Sequence, residues 1–90
     1  MGDISVSDIK IEARNEIVAY YTSFDIEHRK HFVKLAEAHY PDRFKTCELL
    51  KKKLDQETDP FEAHSIAKDW VKESIELIRH VMIRHVIKVC

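Results

Sequence analysis

The chain has 90 residues, of which 44% are apolar and 34% charged, and its formal net charge is -1. This length allows one domain, residues 1–90, which is large enough to bury only about two-thirds of its unfolded surface. The charge balance lacks the basic excess of a typical nucleic-acid-binding domain, and a single glycine, Gly2, excludes glycine-rich nucleotide-binding loops.

One Gly and two Pro are too few for the frequent turns of a β-rich fold. We therefore predict an all-α fold, a small four-helix bundle with helices over 8–23, 26–39, 42–56 and a long C-terminal helix over 60–90. Two cysteines, Cys47 and Cys90, do not form a disulfide framework, and the N-terminus lacks the features of a signal peptide. We expect an intracellular, cytoplasmic protein without a membrane partner.

The first predicted helix begins near Ser7 and Asp8. Apolar residues recur every three or four positions along it and predict its buried face: Ile9, Ala13, Ile17, Tyr20 and Phe24. A second stripe, with four-residue spacing, is acidic and consists of Asp8, Glu12 and Glu16. Acidic residues are favourable near a helix N-terminus, so this stripe has an ordinary explanation beside the alternative of a docking surface.

The second and third predicted helices are separated by Pro41. Asp25 is the expected N-cap of the second helix, over 26–39, and Pro41 disfavours helical geometry at Tyr40. The third helix, over 42–56, carries Cys47 and Leu54 on its apolar side and Lys51, Lys52 and Lys53 across its exposed side.

The fourth predicted helix has a clear beginning and no signal for its end. Asp59 is the expected N-cap, Pro60 suits the first helical position, and Glu62 completes a capping box. The first half has an ordinary core face of Phe61, Ala67, Trp70 and Val71. Neither Gly, Pro nor Asn follows Pro60, which favours either a fragment of a longer protein or an end held by another chain.

The second half of this helix carries surplus apolar surface. Ten of the sixteen residues from Ile75 to Cys90 are apolar, and they spread over more than one side. Because the other predicted helices are short, we expect them to cover only part of it, leaving the rest for a second copy or another helical protein. The predicted interface consists of Val71, Ile75, Ile78, Met82, His85, Val86 and Val89.

Two features of the C-terminal segment leave alternatives open. Residues 81–89 also alternate with period two and are rich in β-branched residues, which would suit a terminal strand paired with Ile4 to Val6. Residues 77–90 carry three basic residues and two His but no acid. Their basic stripe, His80, Arg84 and Lys88, could face the acidic stripe of Asp8, Glu12 and Glu16, within one chain or across a dimer.

Six His residues in 90 require metal binding to be considered. His28 and His31 are close enough on a helix to share an ion and are the candidate ligands, but no Glu-x-x-His or His-Glu-x-x-His motif is present. We therefore predict neither a metal nor another cofactor.

Nucleophilic catalysis has one candidate, Cys47 with His39 or His64. Cys47 lies on the apolar side of its helix, which suits a core thiol better than a reactive one. We therefore predict no catalytic residue and no enzymatic activity. The expected function is a protein–protein interaction or oligomerisation module; a His-based metal or redox protein and a helical nucleic-acid-binding domain are the alternatives.

Overall fold

The computed structural model describes residues 5–86, which form five α-helices and a short π-helix. The α-helices are α1 (Val6–Tyr21), α2 (Ile26–Arg29), α3 (Phe32–His39), α4 (Pro41–Gln56) and α5 (Pro60–Val81), and the π-helix (Met82–Val86) continues directly from α5. No strand occurs within residues 5–86. The predicted all-α helical bundle is confirmed, with five α-helices in place of four.

Helix α1 begins earlier than predicted. Ser5 is its N-cap, and the Ser5 Oγ accepts a hydrogen bond from the Asp8 amide at 3.1 Å. This bond satisfies one of the free amides of the first turn, so the N-cap lies two residues before the predicted cap at Ser7. Val6 is helical, which excludes it from an extended N-terminal arm, and Ile4 lies outside the described residues.

The single helix predicted over 26–39 is wrong, because the chain turns at Lys30 and His31 between α2 and α3. The Tyr21 hydroxyl donates to the Arg29 carbonyl at 3.1 Å, and this carbonyl would accept from the Val33 amide in an uninterrupted helix. The Arg29 Nε–H also donates to the Phe24 carbonyl at 3.0 Å. Contacts with the preceding segment therefore stabilise the turn, and they involve residues that helical periodicity does not consider.

Only Tyr40 separates α3 from α4. Its φ and ψ of -136° and 54° are not helical, as expected for a residue before proline, and Pro41 occupies the first turn of α4. The predicted helix over 42–56 is confirmed to within one residue at its start.

Helix α5 begins at Pro60 as predicted, but its capping differs. The Asp59 side chain makes no capping hydrogen bond, while the Glu57 carboxylate accepts from the amides of Thr58 and Asp59, each at 3.1 Å. Phe61 is exposed rather than part of the core face. The strand alternative is wrong over residues 81–86, which are helical, and the remainder of the predicted helix, residues 87–90, lies outside the described part of the chain.

Helix α5 is the central element. Helices α1 and α4 pack along it, and α2 and α3 contact the π-helix at its far end. The Lys10 Nζ donates to the Asp55 carbonyl at 3.0 Å, so the beginning of α1 lies beside the end of α4, close to where α5 starts. Since α2 follows α1 and reaches the π-helix, α1 runs parallel to α5, whereas α4 returns antiparallel to it.

The core consists of two clusters arranged along α5. The first joins α1, α4 and the first half of α5, and its buried residues are Ile9, Ala13, Leu54, Ala63, Ala67 and Trp70. The second joins α3, α4 and the second half of α5 through Ala36, Cys47, Leu77 and Val81. Because one helix contributes to both clusters, α5 connects the two halves of the core.

The resulting molecule is long and thin. Its principal dimensions are 52 × 25 × 16 Å, and its radius of gyration is 14.4 Å. A compact domain of this length would have a radius of gyration of about 12 Å. No helix within residues 5–86 combines the length and the apolar character needed to cross a lipid bilayer.

Candidate functional site

Two of the predicted interface residues lie inside the protein. Ile78 is 3% exposed and Met82 is 0% exposed, so contacts within the chain already cover both side chains. Val71 and Val86 are half-buried and pack against the first and second clusters, respectively. Ile75 and His85 are also half-buried, and Val89 lies outside the described residues. Over residues 75–86, the apolar surface of the C-terminal segment is therefore largely covered within the chain.

The reason is the end-to-end placement of the shorter helices. Helices α1 and α2 follow one another along α5 and the π-helix, and α4 and α3 do the same from the opposite direction. Together they cover a length that none of them spans alone. We expected the shorter helices to cover only part of the long helix because we considered the length of each helix separately. This expectation is wrong for α5.

The exposed surface of the second half of α5 and of the π-helix is basic. Arg79, His80, Ile83 and Arg84 line one shallow depression, which we call the basic patch. Both arginines are exposed, and Ile83, the apolar member, is 51% exposed. Residues 77–86 contain no acidic residue; Glu76, one residue before this range, makes no ion pair within residues 5–86. The patch therefore combines positive charge with one accessible aliphatic side chain.

A cluster of aromatic rings adjoins this patch. The rings of His39 and His85 stack with centroids 4.2 Å apart and planes 9° from parallel. The Tyr40 hydroxyl shares a hydrogen bond of 3.1 Å with His85 Nε2, and the Tyr40 ring lies 6.1 Å from that of His80. The junction of α3 and α4 is thereby joined to the π-helix, which holds the region beside the patch in place.

His85 is electrostatically distinct from an exposed histidine. Its pKa is lowered from the usual value of 6.5, first by loss of hydration, then by the neighbouring His39 and Arg84. All three causes disfavour a positive charge on the imidazole. The neutral ring suits the stack, because two imidazolium rings in this position would repel each other.

The histidine cluster is not arranged as a metal site. Imidazole lone pairs lie in the plane of the ring, so two nearly parallel stacked rings do not direct their nitrogens at one ion. Residues 5–86 contain no group of three or more His, Cys, Asp or Glu side chains placed to hold a metal ion. Of the candidates from the sequence, His31 is exposed, and His28 is half-buried with Nδ1 lacking a hydrogen-bond partner in the described chain.

Cys47 is a core residue. It is buried in the second cluster, and its thiol pKa is raised above 9.0, chiefly by burial and partly by Glu73, against the lowering effects of a hydrogen bond with Ser74 and of Arg43. A raised pKa keeps the sulfur as the unreactive thiol near neutral pH. Of its two candidate partners, His39 stacks on His85 and His64 is exposed.

The acidic stripe of α1 is exposed, and an apolar pair accompanies it. Asp8, Glu12 and Glu16 all face solvent, while Ile11 and Val18 are 57% and 44% exposed. Ile11 and Val18 are seven residues apart and therefore share one side of α1, which lies about 100° or more around the helix from Glu12 and Glu16. We call the surface formed by Asp8, Glu12 and Glu16 the acidic face.

The acidic face and the basic patch are not paired within residues 5–86. The two ion pairs in this range are Lys30–Glu27 and Lys51–Asp55, both on the surface. The acidic face starts at the end where α4 passes into α5, whereas His80 and Arg84 lie at the opposite end, beside α3. Lys88, the third residue of the predicted basic stripe, lies outside the described residues.

The contacts that join His39 and Tyr40 to His80 and His85 were not predicted. These two pairs are at least 40 positions apart in the chain, so local spacing carries no information about their contact. The one available signal was Pro41, which places a non-helical aromatic residue at the end of a short helix.

Comparison with protein-family models, with curated proteins and with solved structures finds no match to this chain. Its function is therefore inferred from the arrangement of its own residues.

Proposed function

We propose that this protein is a non-enzymatic interaction module whose basic patch binds an acidic amphipathic helix of a second protein molecule. The observation that carries the proposal is the composition of the patch: Arg79 and Arg84 are exposed beside the half-exposed side chain of Ile83. A helix with acidic residues next to one or two aliphatic side chains complements both properties. Charge complementarity then contributes to association rate and selectivity, while the aliphatic contact contributes hydrophobic burial.

The surroundings of the patch support a binding role. His85 and His39 stack, and Tyr40 hydrogen-bonds to His85, so the region beside the patch is held by contacts between the π-helix, α3 and Tyr40. A surface held in place loses little conformational entropy when a partner binds. The π-helix that carries Ile83 and Arg84 is a rare form of helix that often occurs at functional sites.

A non-enzymatic role is supported by the state of the groups that could do chemistry. The buried Cys47 thiol has a raised pKa, and the rings of His39 and His85 are engaged with each other. The proposal keeps the intracellular location expected from the reduced cysteines, since a buried thiol without a disulfide suits a reducing compartment.

The test uses two synthetic peptides of about 20 residues, a length at which an isolated helix forms in water. One is an amphipathic helix of Leu, Ala and Glu, and the other has Lys at every Glu position. We expect the acidic peptide to bind, with an affinity that falls as salt is raised, and the basic peptide not to bind. The Arg79→Glu, Arg84→Glu double variant should weaken binding by at least about tenfold, since like charges then face each other.

The matched control is the Lys45→Glu, Lys52→Glu double variant, which makes the same change in net charge on the exposed side of α4. It should bind the acidic peptide with nearly wild-type affinity. Equal binding of both peptides, or equal losses in the two double variants, would contradict the proposal. Tighter binding of a single-stranded oligonucleotide than of the peptide, lost in the Arg79→Glu, Arg84→Glu variant, would assign the patch to nucleic acid instead.

A further inference from the structure

We infer that the acidic helix bound by the basic patch is α1 of a second copy of this chain, with the two copies lying antiparallel. This inference rests on the proposed function and names the partner for the same patch. The acidic face of each copy would lie on the basic patch of the other, so that one contact occurs twice.

The two surfaces match in chemistry. The acidic face presents three exposed carboxylates, from Asp8, Glu12 and Glu16. The basic patch presents two guanidinium groups and an imidazole. Joining the surfaces would place the carboxylates next to the arginines, which form strong charge-assisted hydrogen bonds with them.

The surfaces cannot meet within one molecule as it is folded. Helix α1 runs parallel to α5, and the Lys10 bond to the Asp55 carbonyl places its beginning at the end of α5 that is remote from the patch. None of the three acidic residues forms an ion pair with Arg79 or Arg84 in the part of the chain that is described. Because the two complementary surfaces cannot meet within one molecule, each can pair with the opposite surface of a second copy.

An antiparallel pair accounts for both surfaces at once. When two elongated molecules lie side by side in opposite directions, the acidic end of each is next to the basic end of the other. This is a two-fold arrangement in which the same contact is made twice and the assembly closes at two copies. The length of the molecule, 52 Å, separates the two contacts and so favours this geometry over contacts at a single point.

The test is a charge exchange followed by mass measurement. One variant carries Glu12→Lys with Glu16→Lys, and the other carries Arg79→Glu with Arg84→Glu. Light scattering on the wild type should give twice the monomer mass of 10.7 kDa at high concentration, and each variant alone should give the monomer mass. An equimolar mixture of the two variants should recover the dimer, because every acidic surface again meets a basic one.

The recovered dimer separates this proposal from a loss of folding, since two misfolded chains would not restore each other. If either variant loses helicity by circular dichroism, Gln replaces the introduced Lys or Glu, and a weakened dimer with reduced salt dependence is expected in its place. A monomeric wild type, a mixture that stays monomeric, or equal dissociation of the Lys45→Glu, Lys52→Glu control would overturn the inference. A mass that rises beyond two copies with concentration would overturn the two-fold arrangement.

The two proposals can fail separately. The Glu12→Lys, Glu16→Lys variant keeps its basic patch, so the acidic peptide can be titrated against it without competition from a second copy. Peptide binding together with a monomeric wild type would retain the proposed function and reject the second copy as the partner. Absence of peptide binding together with a restored mixed dimer would reject general recognition of acidic helices and retain self-association.

Discussion

His85 shows how a single side chain makes the stability of this fold depend on pH. Its imidazole is stacked on His39 and hydrogen-bonded to Tyr40, and both contacts suit the neutral ring. His39, on which it stacks, and Arg84 on its own segment both disfavour a positive charge on His85.

We predict that the free energy of unfolding decreases as the pH falls below about 6.5. The unfolded chain takes up a proton at His85 near the ordinary value of 6.5, whereas the folded chain, in which this pKa is lowered, takes it up only at lower pH. The unfolded state therefore binds more protons in this window, and acid favours unfolding. Urea denaturation at about pH 7.5 and about pH 5 measures the loss, which should be smaller in His85→Gln than in the wild type.

His64→Gln is the control for this experiment, because His64 is an exposed residue of α5. It should lose as much stability on acidification as the wild type. Equal losses in the wild type and in His85→Gln would show that the stacked pair does not cause the pH dependence.

At the residue scale, the sequence predicted the role of a side chain, such as a core residue or a helix cap, better than it predicted which groups that side chain contacts. Cys47 was expected in the core, and its burial follows from its position between apolar residues at helical spacing. Ser5 and Glu57, which cap α1 and the turn before α5, were missed, because Ser7 and Asp59 have equally suitable side chains. Which of two good capping residues is used depends on the path of the backbone, and that path is set by packing.

At the scale of elements, the turn between α2 and α3 is the clearest example of a tertiary contact overriding local preference. Residues 26–39 contain neither Gly nor Pro, and a continuous helix is what their local sequence favours. Helix α3, which follows this interruption, contacts both α4 and α5, and its Ala36 is buried in the second cluster.

We predict that Tyr21→Phe lowers the free energy of unfolding by about 1 kcal/mol, the usual net value of one hydrogen bond. The Phe ring retains the edge contact with Phe32, whose ring centroid lies 5.4 Å from that of Tyr21, while the Arg29 carbonyl loses its donor. Chemical denaturation followed by far-ultraviolet circular dichroism measures this loss. Tyr20→Phe is the matched change, since no hydrogen bond of the Tyr20 hydroxyl is found within residues 5–86, and the prediction fails if both variants lose equal stability.

The long C-terminal helix was the element that the sequence predicted best. The residues that pack around it were predicted worst. Its start at Pro60 and its helical course through Val81 follow from a proline at the first position and an uninterrupted apolar pattern. The pattern also showed that more than one side must be buried. It did not show what covers those sides, because coverage depends on how α1 to α4 are arranged, and Ile78 and Met82 were therefore assigned to an interface although they are core residues.

At the scale of the whole molecule, the elongated shape follows from placing two short helices end to end on each side of one long helix. A molecule 16 Å thick has little interior, which is why the buried residues fall into two clusters along α5 instead of one central core. The same arrangement keeps the acidic face and the basic patch apart. The shape therefore limits the size of the core and separates two surfaces of opposite charge.

The two clusters should unfold together, because α5 is continuous through both of them. Leu54 in the first cluster and Met82 at the start of the π-helix are fully buried, at 1% and 0% exposure. Replacing either with Ala leaves a cavity, for which the expected loss is about 2–5 kcal/mol. Trp70 belongs to the first cluster, so its fluorescence reports on that half, while far-ultraviolet circular dichroism reports on all helices.

If α5 couples the clusters, Met82→Ala shifts the Trp70 fluorescence transition by as much as the circular dichroism transition, although Met82 is absent from the cluster that contains Trp70. Coincident transitions from two probes are the signature of two-state unfolding. Leu49→Ala, at an exposed position of α4 outside the basic patch, is the control and should shift neither transition appreciably. A Trp70 transition that stays at the wild-type urea concentration in Met82→Ala would mean that the two halves unfold independently, and α5 would then have to break near Ser74, between the two clusters.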